Sequence, residues 1–151
     1  MRAMTDILVA DDSDHDVGIT LRALRKAAPN AAVLRLTDGN QVLQFLFATG
    51  SFANRPAGMP RLVLLELWMP GANGMTVLEA LRAQPATTDL AVVLLTSCSN
   101  PVLIERCLAL GANDYKVKPQ DTESYGAVVE SIVSRWCGPT TPSLSAAESA
   151  A

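Results

Sequence analysis

Short aliphatic runs alternate along this chain with stretches of helical period, and that alternation confines it to a layered helix-and-sheet architecture. The runs are ILVA at 7 to 10, AAVLRL at 31 to 36, LVLLEL at 62 to 67 and AVVLL at 91 to 95. Dense in Val, Ile and Leu, they read as parallel strands buried on both faces. A weaker fifth, DYKVK at 114 to 118, alternates and suits a sheet edge. Between the runs, apolar residues recur at helical spacing. Val17, Leu21, Leu24 and Ala28 share one face, as do Val42, Phe45 and Leu46, then Leu78 and Leu81, then Tyr125, Val128, Val129, Ile132, Val133 and Trp136. Ser13 or Asp14 is placed to cap the first helix, Pro101 fits a first turn after Asn100, and Gly111 closes the fourth helix. Five βα units with right-handed crossovers predict a doubly wound sheet.

A length of 151 residues suits one domain with a sizeable core. The folded domain is read as residues 1–137 and the remainder, 138–151, as a flexible tail without apolar period. The connection TGSFANRPAGMPR, 49 to 61, is long for so small a domain and reads as a surface loop or an extension of the second helix. Hydrophobic residues make up 49% but aromatics only 5%, so the core must be mainly aliphatic. A net charge of -3 and a pI near 5.0 argue against a nucleic-acid surface, which needs clustered basic groups. Cys98, Cys107 and Cys137 form neither a disulfide framework nor a zinc pattern, which fits a reducing, cytoplasmic setting. No apolar stretch reaches the length of a membrane span.

In an open parallel sheet, ligands bind outside the carboxyl ends of the strands. Asp11 and Asp12 follow the first run, Glu66 ends the third, Thr96 and Ser97 follow the fourth, and Lys118 and Pro119 follow the fifth. Carboxylates gathered there repel by roughly 4 kcal/mol per pair at about 4 Å and an effective dielectric near 20. Lys118 offsets part of this, and a hard cation such as Mg²⁺ would offset more. The Thr96 hydroxyl and Ser97 amide would then suit a phosphoryl oxygen. Helix capping is the plainer alternative for Asp11 and Asp12.

The segments ILVADDS, LVLLELWMPGANG, VVLLTS and DYKVKP, in that order and at those strand ends, resemble the receiver domains of two-component response regulators over roughly residues 5 to 137. The resemblance implies a flavodoxin-like (βα)5 fold, a three-layer sandwich with strand order 2-1-3-4-5. It implies that Asp11 and Asp12 hold Mg²⁺ together with the backbone carbonyl of Trp68. Thr96 would be the switch hydroxyl, Lys118 the phosphate-binding lysine, Tyr115 the aromatic that turns inward when the site is filled, and Pro119 the partner of a cis peptide. Its partners would be a sensor histidine kinase or another signalling protein. A looser likeness, in the long loop, the late tryptophan and the C-terminal extension, points to stand-alone regulators of phytochrome-type kinases and to a homodimer through the C-terminal helices.

The family phosphorylates an aspartate where this chain has Glu66. One extra methylene carries the carboxylate about 1.5 Å further, toward where a phosphoryl group would sit. A carboxylate has two acceptor oxygens and one charge against a phosphoryl group's three oxygens and roughly −1.5 to −2, so Glu66 is expected to act as a partial mimic, bonding Thr96 or Lys118. Conventional phosphorylation is expected to be weak, and no enzymatic activity is expected. The rival from another class is a phosphorylation-competent, Mg²⁺-dependent regulator or phosphoryl-transfer enzyme using the same site. A flavin-binding, flavodoxin-like electron carrier is a third reading, but no Ser/Thr/Gly-rich phosphate loop follows the first strand of this chain. Asp14 and Asp16 read as first-turn acids that stabilise the start of the first helix, His15 as a solvated surface residue, Cys98 as inert and Trp136 as core. The apolar residues spread around the fourth helix suggest either deep burial or a partner surface.

Overall fold

The computed structural model describes residues 4–137. The parallel sheet consists of β1 (Ile7–Ala10), β2 (Val33–Leu36), β3 (Leu62–Leu65), β4 (Val92–Thr96) and β5 (Asp114–Val117), in the order β2-β1-β3-β4-β5. The helices are α1 (Asp14–Ala27), α2 (Gly39–Phe47), α3 (Gly74–Arg82), α4 (Pro101–Ala109) and α5 (Thr122–Trp136). The five-unit fold and strand order are those expected. The proposed tail at 138–151 lies outside the described residues.

The central strands β1, β3 and β4 are buried along their whole length, which explains why they read as unbroken aliphatic runs. Their alternate side chains feed two cores. Leu8, Ala10, Val63, Leu65, Val92 and Leu94 meet Val42, Leu46, Val77, Leu78 and Leu81 of α2 and α3. Ile7, Val9, Leu62, Leu64, Val93 and Leu95 meet Val17 and Leu24 of α1 and Tyr125, Val129 and Ile132 of α5. The edge strand β2 differs from the expectation of a buried strand. Val33, Leu34 and Arg35 are only half-buried, because an edge lacks a neighbour on one side.

Every helix begins at a side-chain cap, and each cap comes from a short polar residue. The side chains of Ser13, Asp38, Asn73, Asn100 and Asp121 accept from backbone N–H groups in the first turn of their helices. Of the two candidates for the first cap, Ser13 takes the role and Asp14 opens the helix. Pro101 occupies the first turn of α4 as expected.

The 49–61 connection contains a short 3-10 turn, Gly50–Phe52, and folds back onto α2. Phe52 stands edge-on to Phe45 with ring centroids 5.4 Å apart. The Arg55 guanidinium donates to the carbonyls of Phe45 and Leu46, closing the end of α2, and to those of Pro56 and Gly58 within the loop. One arginine thus gives this loop a defined path. Trp136 is half-buried against the α1/α5 core rather than enclosed in it, with the Arg135 guanidinium 5.0 Å from its ring centroid.

Gly39 allows the loop after β3 to meet the start of α2. A Cβ there would lie 1.7 Å from the Ala72 carbonyl oxygen, and the Gly39 N–H donates to Pro70 O at 3.1 Å. Gly39→Ala is therefore expected to destabilise the fold by about 1–3 kcal/mol, the usual cost of overpacking. The check is the urea unfolding midpoint of the variant against the parent.

Candidate functional site

Three backbone bonds set the site out at the carboxyl edge of the sheet. Asp11 N donates to Leu36 O at 3.0 Å, Glu66 N to Ala10 O at 2.9 Å and Lys118 N to Thr96 O at 2.8 Å, so each residue extends a ladder by one step beyond its strand. Asp11 and Glu66 flank the boundary between β1 and β3, where the strand order reverses. Gly74 lets α3 approach closely from behind, since a Cβ there would lie 2.8 Å from Glu66 O.

The centre of the site is the Lys118 ammonium. Its Nζ donates to Asp11 Oδ2 at 2.8 Å, to Asp16 Oδ2 at 2.8 Å and to Glu66 Oε1 at 2.7 Å. The Lys118 side chain is 4% exposed, so these three carboxylates replace almost all of its hydration. Burial alone would lower its pKa, but the bonds to Asp11, Asp16 and Glu66 outweigh burial and raise it above the ordinary lysine value. The carboxyl group of Asp11 is raised in its turn, chiefly by burial, against the opposing pull of Lys118 and of the Ser13 N–H.

Both oxygens of Glu66 are engaged. Oε1 faces Lys118, and Oε2 accepts from the backbone N–H of Leu67 at 2.7 Å and of Trp68 at 3.3 Å. Of the two partners expected for it, the bond made is with Lys118. Thr96 is buried at the end of β4, and its hydroxyl oxygen accepts from Cys98 N at 3.3 Å. Tyr115 is also buried, with its hydroxyl donating to Cys98 O at 2.7 Å, which ties β5 to the loop after β4. Burial leads in holding its phenol above the usual tyrosine value. Ser97 is exposed and Pro119 half-buried.

Other expectations are not met. No peptide bond among the described residues is cis, so the bond before Pro119 is trans, the form an X–Pro bond favours by about 0.5–1 kcal/mol unless its surroundings demand otherwise. Asp12 and Trp68 are exposed at the edge where the sequence places them, Trp68 by 52%. Asp16, a first-turn acid expected only to stabilise the start of the helix, is a member of the site. Its position in the first turn of α1, four residues after Asp12, is the signal that points to it, because α1 starts at the carboxyl edge. Asp14, by contrast, pairs outward with Arg35 at 2.9 Å, and Arg35 also donates to the Asp11 carbonyl at 3.0 Å.

Of the metal set implied by the sequence, Asp11, Asp12 and the Trp68 carbonyl, Asp11 is engaged by Lys118 and by the Ser13 N–H in this arrangement. Asp11 and Glu66 each have one oxygen on Lys118 and the other on backbone N–H groups. Among the described residues no group of three or more His, Cys, Asp or Glu side chains is disposed to hold a metal ion.

A doubly wound sheet with acids, a hydroxyl and a lysine gathered at its switch point is the arrangement of a receiver domain, and this chain belongs to the response regulator receiver domain family, whose model matches residues 7–130. It is similar to the response regulator Rcp1 of Synechocystis, at 28% identity over 86% of this chain and 87% of that protein. The structure of the phosphorylated cyanobacterial phytochrome response regulator RcpA superposes with a TM-score of 0.84, at 27% identity, over 93% of this chain and all of the other. The Mn²⁺-bound form of Rcp1 superposes with a TM-score of 0.82, at 28% identity, over 89% of this chain and 96% of that one.

Removing the ammonium would leave three carboxylates facing one another in a buried space. Lys118→Met is therefore expected to cost about 3–5 kcal/mol of stability near neutral pH, as for breaking other buried ion pairs. The sign of its pH dependence follows from Asp11, whose folded pKa is already raised. Stability tied to a raised carboxyl pKa is present at low pH and lost as pH rises through the folded value. The deficit of the variant should shrink as pH falls toward the ordinary carboxylate range, as measured by denaturant unfolding at a series of pH values.

Proposed function

We propose that this protein is a receiver of two-component signalling in which Glu66 makes the contacts that a phosphoryl group would otherwise make, so that its output state does not wait on a kinase. The observation that carries this reading is the double engagement of Glu66, with one oxygen on Lys118 and the other on the backbone N–H groups of Leu67 and Trp68. These are a cationic donor and two amide donors converging on one side chain, the same donor chemistry that stabilises a transferred phosphoryl group. The inward position of Tyr115, bonded to the loop after β4, agrees with a filled site. Thr96 and Lys118 serve as the hydroxyl and cation of the switch.

Output passes through protein contact rather than nucleic acid. The face formed by α4, β5 and α5 supports this, because α4 buries only Cys107 and leaves Val102 64% and Leu108 45% exposed, beside Val117 of β5 at 39%. The partner would be a histidine kinase of the phytochrome type or another signalling protein, a reading that rests on the name of RcpA, and a second copy of the chain is the other occupant.

Intact mass after incubation with acetyl phosphate and Mg²⁺ tests the proposal. The parent should acquire no phosphoryl group, whereas Glu66→Asp should acquire one, since shortening the side chain by a methylene withdraws the carboxylate from Lys118 to the usual acceptor position and frees the ammonium to make room for Mg²⁺. A phosphoryl adduct on the parent at high occupancy sinks the reading and favours a phosphorylation-competent regulator. Glu66→Gln should release Tyr115 from its inward position, visible as a change in its ring resonances.

A further inference from the structure

We infer that the Lys118 ammonium is the resident cation of this site, held there by Asp16 as a positioning residue, and that the site therefore neither requires nor admits Mg²⁺. This goes beyond the mimic reading and holds whether or not Glu66 stands for a phosphoryl group.

An ammonium has three donors and no acceptor, and a buried one needs a partner for each. Asp11 and Glu66, at the ends of β1 and β3, supply two. The third comes from Asp16, reaching in from α1 with its side chain 25% exposed. Without Asp16 one proton would be left to water, and the lysine would have reason to lean outward. With it, Lys118 is fixed between the sheet and α1, in the space a metal ion would need.

Mg²⁺ demands near-octahedral oxygens at about 2.0–2.1 Å. Each of the four oxygens of Asp11 and Glu66 already accepts a hydrogen bond, from Lys118 or from the N–H groups of Ser13, Leu67 and Trp68, so an ion would have to crowd or displace those donors. Asp12 is the remaining acid after β1, and it is exposed. An ion taking an oxygen of Asp11 or Glu66 would come to rest beside a buried positive charge. The lysine and the metal therefore compete for one place, and Asp16 decides in favour of the lysine.

The same geometry implies a latent site. Three carboxylate oxygens lie 2.7 to 2.8 Å from one point, the lysine nitrogen. Ca²⁺ accepts oxygens at about 2.3–2.6 Å, so a contraction of a few tenths of an ångström would let it stand where the ammonium stands now, more easily than the smaller Mg²⁺.

Calorimetric titration of the full chain with Mg²⁺, Mn²⁺ and Ca²⁺ into the millimolar range tests the proposal, with thermal unfolding in each cation and in chelator alongside. The parent should give no saturable heat and an unchanged unfolding midpoint. Lys118→Met should gain saturable binding, tighter for Ca²⁺ than for Mg²⁺, and a higher midpoint in Ca²⁺ than in chelator. Adding Asp16→Asn to that variant should weaken the gained binding by about tenfold or more, in line with the loss of a site-forming group. Saturable Mg²⁺ binding by the parent that disappears in Asp12→Asn overturns the proposal, as does a folded Lys118→Met that binds no cation. A Lys118→Met chain that folds only in Ca²⁺ supports it, and if that variant folds under neither condition the parent titration alone decides.

Discussion

The carboxyl edge of this molecule is organised by one buried positive charge. Asp11, Asp16 and Glu66 come from three different elements, and without a cation between them their mutual repulsion would push apart the groups gathered at the ends of β1 and β3. The Lys118 ammonium supplies that cation and has as many donors as there are acids to satisfy. It also fixes orientation, since a carboxylate held through one oxygen by the lysine can turn the other to the backbone, as Asp11 does toward Ser13 and Glu66 toward Leu67 and Trp68.

The rest of the fold places these groups. Parallel strands all exit at one edge, helices capped by short polar side chains all start there, and the reversal of strand order places a crevice outside the carboxyl ends of β1 and β3. Two aliphatic cores, one on each side of the sheet, hold the strands so that the residues after them cannot slip without burying charge in hydrocarbon. Tyr115 and Thr96 link the end of β4 and the body of β5 to the loop between β4 and α4.

Much of the site was legible in the sequence because it lies at strand ends, where the aliphatic runs stop and the first polar residue must face the cleft. Glu66, Thr96 and Lys118 are all such residues. Asp16 was hidden because a helix start offers every acid a reason to be there, through the positive end of the helix, and the linear chain does not say which acids point to solvent. Asp14 and Asp16 are two residues apart on one turn, yet one pairs outward with Arg35 and the other inward with Lys118. Asp12, next to Asp11, is exposed where Asp11 is buried, and adjacency in the chain does not tell the two apart.

The sequence by itself determined the doubly wound sheet, the starts of its first and fourth helices and the edge at which chemistry gathers, because hydrophobic periodicity and polar punctuation are local properties. The order of the strands was implied by the family resemblance. Only the tertiary structure decided which carboxylates share the lysine. Those contacts join residues 52 to 107 positions apart, and their partners depend on side-chain direction and on distances of less than 3 Å. Glu66 could be recognised in the sequence as the wrong acid for an acceptor; that both of its oxygens would already be taken was a matter of geometry.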